Sequence, residues 1–277
     1  MPTIHPTAIV DRGAELADDV QIGAYAIVGR GVTIGQSTTV HAHSIIQGST
    51  AIGAHCEIGP AAYLGLDPQH MGFLKRPASE RQQTWLVVGD HVILREGASI
   101  HRSTKPEREN ATKIGDHCMI MGGGHIGHDC VLEQDVIMAN DARLGGHVRI
   151  GTRAFLGGGS SIHQFVRVGR IAMVGGNQPV GQDVPPFSAL LYGGLKGYNA
   201  VGCRRAGMSH QVIKSIRAAY HCLHTHRSTQ AVLAAMDALG LNTPEVAEIR
   251  QFMTSTKRGL MRSVRFMDFT RDAEVAD

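Results

Sequence analysis

No stretch of eighteen consecutive apolar residues occurs in this 277-residue sequence, so no segment is expected to cross a membrane as a helix. The N-terminus lacks the basic-then-apolar layout of a secretory signal. Cysteine is sparse and odd in number (Cys56, Cys118, Cys130, Cys203 and Cys222), with no CxxC pair, which argues against a disulfide framework and a zinc ribbon. Reduced thiols and a cytoplasmic protein are the expectation. Cys118 and Cys130 each follow an in-register aliphatic residue by four, a place for small residues that fill a coil. A net charge of only +3 gives no reason to expect nucleic acid, and leaves room for a local basic patch facing an acidic partner.

What the sequence does contain is a period of six. Ile4, Val10, Leu16, Ile22, Val28, Ile34, Val40, Ile46, Ile52, Ile58 and Leu64 form one unbroken run. A second starts at Ile114 and continues through Ile120, Ile126, Leu132, Met138, Leu144, Ile150, Leu156, Ile162, Val168 and Val174 to Val180, with Val88, Leu94 and Ile100 between the two. Glycine often follows the aliphatic residue, as in Ile22-Gly23 and Ile126-Gly127. Six matches neither the helical period of 3.6 nor the strand period of 2, so the chain must turn once per hexad. Such a repeat marks a parallel β-helix: three hexads make an 18-residue triangular coil, and coils stack at about 4.8 Å with their aliphatic residues in one inner column. Turns at Gly, Asn, Asp or His tolerate positive φ. Repeats of this kind coil left-handed, against the usual crossover rule, although the spacing itself does not set the hand.

The pattern divides the chain into a hexapeptide-repeat β-helix over 1–190 and a small α-helical domain over 191–277. Two polar, proline-containing interruptions, about 66–87 and 103–112, read as loops protruding from the prism, where function often sits. Tyr192 to Gly197 reads as a Gly-rich link. Ser209 caps a predicted helix through His224, Ser228 caps one through Ala238, and Thr243-Pro244 starts another, with a last helical segment after Gly259.

Sixteen histidines are many for this length. Counted within the coil from Ile114 as zero, His125 falls at 11, His128 at 14, His147 at 15 and His163 at 13, so all four gather around one turn of successive coils. Three chemistries compete for them. A zinc site needs imidazoles converging to about 2.1 Å from one ion, and no pair in the cluster is five apart, the offset expected for a three-histidine hexad site. A structural role in turn geometry suffices for His41, His43, His55, His91 and His117. General-base catalysis is the third, because Asp129 follows His128 and a carboxylate can orient the ring and stabilise its protonated form.

At these residues the chain resembles the UDP-N-acetylglucosamine acyltransferases that begin lipid A synthesis. The resemblance runs through GGGHIGHDC (Gly122 to Cys130), LGGHV, SIHQF, MVGG, QDVPP and, in the tail, SIRAAY, TPEV and RGLMR (Arg258 to Arg262). It implies that His128 removes a proton from a sugar hydroxyl, which attacks a thioester on the phosphopantetheine of acyl carrier protein, with no other cofactor and no metal. It further implies that Asp129 orients His128, and that the Gly146 N–H stabilises the oxyanion, a donor type typically worth about 3 kcal/mol. His125, His147, His163 and Gln164 match substrate-contacting positions. Asn199, Arg204 and Arg205 match positions near the nucleotide, where the arginine fork suits phosphate. Lys75 matches a loop lysine. Gly176 matches the position limiting acyl length, and its small size implies a 3-hydroxyacyl chain of about fourteen carbons rather than about ten.

The chain departs from the family's pattern at Phe73-Leu74-Lys75, at Val201 in place of an acid, at Gly193-Gly194, and at Ser103 where glycine is usual. These departures keep open a 3-amino acceptor sugar or another nucleotide sugar. Two other classes stand beside this one: a hexapeptide-repeat transferase using acetyl-coenzyme A, which the helical tail disfavours, and a non-catalytic scaffold, which His128-Asp129 disfavours. A turn on the outside of a prism offers no concave pocket, so a threefold assembly that builds clefts between neighbours is expected, as in the resembled family.

Overall fold

The computed structural model describes residues 1–262. Its first two thirds are short, mostly two-residue parallel strands in three sheets of eleven, nine and eight strands, the three faces of a prism. Within the uninterrupted coils each strand pairs with the one 18 residues on: Ile4 with Ile22, Val10 with Val28, Leu16 with Ile34. The expected inner column is buried from Ile22 to Val180. A second buried set had been legible only at the cysteines: small residues at each corner, Val20, Ala26, Cys56, Ala98, Cys118, Cys130 and Ala154 among them. A triangular coil has no room for larger side chains there. Two polar members bond to a carbonyl of the next coil, Thr38 Oγ1 to Gly53 at 2.9 Å and Ser44 Oγ to Gly59 at 2.8 Å. Burial pushes the Cys118 thiol up to about 11 and the Cys130 thiol up to about 12.

Corner residues occupy the left-handed region, including His55, His91, His117, Asp129 and His147. Ile171 does so too, at φ 57°, a conformation that β-branched residues rarely adopt, and it is held there by burial against the helical tail.

The two interruptions are ordered. The first leaves the strand Tyr63–Leu66, forms a short helix α1 (Met71–Leu74) and a 3-10 turn (Ala78–Glu80), and rejoins the sheet at Trp85–Val88, which pairs with Ser49–Ile52. Strand structure therefore begins before residue 88, because Leu86 is buried as an extra inner residue. Asp67 pins this loop by ion pairs to Arg81, at 2.5 Å, and to Arg102.

The Gly-rich link is a strand hairpin, Ser188–Leu191 antiparallel to Gly194–Tyr198, turning at Tyr192-Gly193 where both residues have positive φ. A short helix α2 (Ala200–Arg205), capped by Asn199, follows. Helices α3 (His210–Thr225), α4 (Thr229–Ala238) and α5 (Pro244–Thr254) begin at the Ser209, Ser228 and Thr243 caps. They pack a second core of Ile171, Phe187, Leu195, Ile216, Tyr220 and Met253. Buried Asp183 fastens them to the prism, accepting from Arg167 Nε at 3.0 Å and Thr256 Oγ1 at 2.8 Å. After Gly259, Leu260 forms a parallel bridge with Asp183 rather than a helix, and the rest of that expected segment lies outside the described residues.

Candidate active site

His128 and Asp129 occupy the turn between His125–Ile126 of the nine-stranded sheet and Val131–Leu132 of the eight-stranded one. Asp129 has φ 61°, and its side chain meets its neighbour's ring: His128 Nδ1 lies 2.6 Å from Asp129 Oδ2. Both side chains are nearly buried, at 10% and 8% exposure. Burial alone would raise the Asp129 carboxyl. Hydrogen bonds from His128 and from the Thr104 N–H and hydroxyl outweigh it and hold the group below the usual carboxylate value. An ionised carboxylate is an acceptor only, so the hydrogen on the shared bond belongs to His128 Nδ1, and the neutral form of that ring has its lone pair on Nε2.

One coil on, Gly146 stands under the imidazole: a Cβ there would lie 2.6 Å from His128 Cε1 and 2.8 Å from Nε2. Its N–H has no acceptor among the described residues. His147 sets its Nε2 3.6 Å from Asp129 Oδ2, at right angles to His128, and stacks flat on Phe165 with centroids 4.5 Å apart. Burial lowers the His147 pKa despite the nearby Asp129 carboxylate. His125 is lowered by burial, then by His101 and Arg143, and its Nδ1 lies 2.9 Å from Ser99 Oγ.

His163 and Gln164 share this corner, both exposed, with His163 Nδ1 bonded to the Gln164 carbonyl. Neither side chain hydrogen-bonds to the dyad among the described residues. Gly176 lies on a different corner, between the eleven- and nine-stranded sheets, where an added Cβ would meet only the Gly158 backbone, at 3.2 Å. Asn199, Arg204 and Arg205 lie at the third corner. Asn199 is spent on structure, donating to the Ile171 carbonyl at 2.8 Å and accepting from Gly202 N at 2.9 Å. Arg204 and Arg205 project from α2, exposed. Lys75 is exposed at the end of α1. One chain thus spreads the predicted set over three corners and gathers only His125, His128, Asp129, Gly146, His147, His163 and Gln164 at one.

Several contributors escaped sequence reasoning. His70, from the first loop, sets its ring edgewise to His128 with centroids 5.5 Å apart. Thr104, from the second, binds both Asp129 oxygens. His101 lies beside His125. Only Phe165 carried a usable signal, since it stands one coil after His147. The loops have no period, so nothing in the sequence assigns them a register.

Ligand atoms of His128, Asp129 and His147 all lie within 4.8 Å of one another, a set of two imidazoles and a carboxylate. The short His128–Asp129 bond and the Thr104 donors already engage Asp129, the arrangement of a hydrogen-bonded base.

Residues 183–261 match the sequence family described as UDP-N-acetylglucosamine O-acyltransferase, domain 2. The acyl-[acyl-carrier-protein]–UDP-N-acetylglucosamine O-acyltransferase of Stutzerimonas stutzeri is 40% identical over 266 residues, covering 95% of this chain and 100% of that protein. Among solved structures, the UDP-N-acetylglucosamine O-acyltransferase of Moraxella catarrhalis is similar with a TM-score of 0.85 at 35% identity, covering 94% of this chain and 99% of the other. The UDP-N-acetylglucosamine acyltransferase from Campylobacter jejuni is similar with a TM-score of 0.84 at 31% identity, covering 95% and 100%.

Proposed function

This chain belongs to the acyl-[acyl-carrier-protein]–UDP-N-acetylglucosamine O-acyltransferases, and we propose on that premise how its own residues carry the reaction. It is an acyltransferase with the left-handed β-helix of that family, moving an acyl chain from acyl carrier protein to UDP-N-acetylglucosamine in the first step of lipid A biosynthesis. His128 is the general base. Its Nε2 takes the proton of the sugar 3-hydroxyl as that oxygen attacks the thioester carbonyl of a 3-hydroxyacyl chain. Asp129, ionised and bound to Nδ1–H, stabilises the imidazolium that forms. The N–H of Gly146 faces the developing oxyanion. When the C–S bond breaks, the imidazolium returns the proton to the departing thiolate. His125, His147, His163 and Gln164 line the approach on the same corner. The phosphopantetheine arm arrives on the carrier protein, and neither a metal nor a further cofactor takes part.

The single observation that carries this reading is the 2.6 Å His128–Asp129 bond with the backbone of Gly146 against the ring.

The nucleotide residues and the base sit on different corners of one chain, so the complete site takes them from two copies. The eleven-stranded face supports a homotrimer: Ile93, Met119, Ile137, Phe155 and Met173 form an outward apolar row in consecutive register. The carrier protein has a basic surface to meet. From Val184 to Met236 the sequence holds no Asp or Glu, and Arg204, Arg205, Lys214 and Arg217 are exposed. No helix among the described residues is long and apolar enough to cross a membrane, and reaction in the cytoplasm is part of the proposal.

The experiment is acyl transfer from 3-hydroxyacyl carrier protein to UDP-N-acetylglucosamine, run beside the 3-amino sugar nucleotide and with donors of about ten and about fourteen carbons. Ester formation with preference for the longer donor supports the account. Turnover of the amino sugar alone overturns the acceptor, and preference for the shorter donor overturns the role of Gly176.

A further inference from the structure

The second interruption begins and ends on Asp129. Thr104 donates its N–H to Oδ1 at 3.0 Å and its hydroxyl to Oδ2 at 2.9 Å, while Thr112 Oγ1 accepts the Asp129 N–H at 2.9 Å. These two residues bracket the excursion 105–111. The loop is itself held in place. Buried Ser103 accepts from Trp85 N at 3.2 Å and donates to the Lys105 carbonyl at 3.0 Å, which folds the bend that presents Thr104. The Trp85 indole donates to the Pro106 carbonyl at 3.0 Å, and the Arg108 guanidinium lies over its ring.

We propose that Thr104 is a positioning residue for the acyl transfer: by binding both carboxylate oxygens it fixes the plane of Asp129, and through Asp129 the aim of the His128 ring. The inference rests on the general-base reading above. A carboxylate held by one donor turns about its Cβ–Cγ bond, and the Oδ2 it presents to His128 Nδ1 turns with it. Two donors from one residue, one on each oxygen, stop that rotation. Asp129 sits at positive φ, where the backbone alone does not settle the side-chain direction. The groups facing the carboxylate are His128, His147 and Thr104, and the Thr104 hydroxyl is the one side-chain donor among them that carries no charge in any protonation state.

The test uses the full chain with Thr104→Val, which keeps shape and the N–H but loses the hydroxyl, and Thr104→Ser, which keeps the hydroxyl. Valine is expected to lower kcat by about tenfold or more, with KM for both substrates within about twofold. The acid limb of its pH profile should move to higher pH, because that limb follows protonation of the base, and a carboxylate with one donor fewer keeps more of its charge for the imidazolium. Serine should restore both. A valine variant with wild-type kcat and acid limb overturns the proposal. So does a loss of kcat with an unmoved acid limb that serine fails to rescue, which is the signature of a merely structural residue. Proton NMR of the His128 Nδ1–H signal reads the same geometry without substrate: it should shift or broaden in the valine variant and return with serine, and an unchanged signal overturns the idea. Absence of turnover in the wild type would instead count against the acyltransferase reading.

Discussion

A methyl group at position 146 would stand 2.6 Å from His128 Cε1, closer than real side chains approach. The backbone on both sides is held by the coil ladder, so the imidazole would have to move. Displacement of a catalytic group by about 1 Å can cost about a hundredfold in rate, so Gly146→Ala is expected to lose about that much kcat while melting close to wild type. A variant with normal kcat would mean the ring is not where the chemistry happens. Asp129 carries a second expectation. Its folded-state pKa is depressed, so its contribution to stability is fully present above the unfolded value and is lost as pH falls through the folded one. The stability gap between wild type and Asp129→Asn, by urea unfolding, should therefore be widest near neutrality and narrow on the acid side of the carboxylate range. A gap independent of pH would contradict the assignment. At this scale the sequence is informative where register applies. Counting from Ile114 places His128, His147 and His163 on one corner, and the structure agrees. Contact between adjacent residues such as His128 and Asp129 depends on a φ of 61°, which the period does not specify.

At the scale of elements, the hexads and helix caps were legible because each rests on a local rule: one inward aliphatic residue per turn, and a hydroxyl accepting from the third residue of a helix. The hairpin at Ser188–Leu191 and Gly194–Tyr198 was not, since its glycines look like a linker while its pairing depends on docking at the end of the prism. The loops were legible as loops but not as contributors. His70 and Thr104 are brought to His128 and Asp129 by contacts between segments distant in sequence, Asp67 with Arg81 and Arg102 for the first loop and Ser103 with Trp85 for the second. Among the described residues the Arg102 Nε has no hydrogen-bond partner, so removing Asp67 leaves a largely buried guanidinium with little to hold it. Asp67→Ala is expected to free the first loop, with limited trypsin cutting after Lys75 or Arg81 and turnover falling about tenfold, while the prism stays folded. Cutting at the wild-type rate would show that the loop is held by other means.

For the whole molecule the governing fact is that the candidate residues lie on three corners of a single triangular prism. The proposed shared site requires copies side by side, and the apolar row through Phe155, itself 37% exposed, is the face proposed for their contact. Light scattering should return three times the chain mass of 29.7 kDa, and Phe155→Asp should lower it and abolish turnover together. Mixing unfolded His128→Ala and Arg204→Ala chains and refolding them should recover part of the activity that neither has alone. A monomer of full activity would refute the shared site. No property of one coil announces this arrangement. The period reveals the prism, and the expectation of an assembly comes from the lack of a concave pocket at the prism's turn together with the resemblance.

The account turns on His128 as the base, and its most direct test is the rate of acyl transfer from 3-hydroxyacyl carrier protein to UDP-N-acetylglucosamine in wild type and His128→Ala. The expected result is a loss of about a hundredfold to ten-thousandfold in kcat, the usual contribution of a general base, with the protein still trimeric and its acceptor KM little changed. A His128→Ala enzyme that keeps wild-type kcat would contradict the account at its centre.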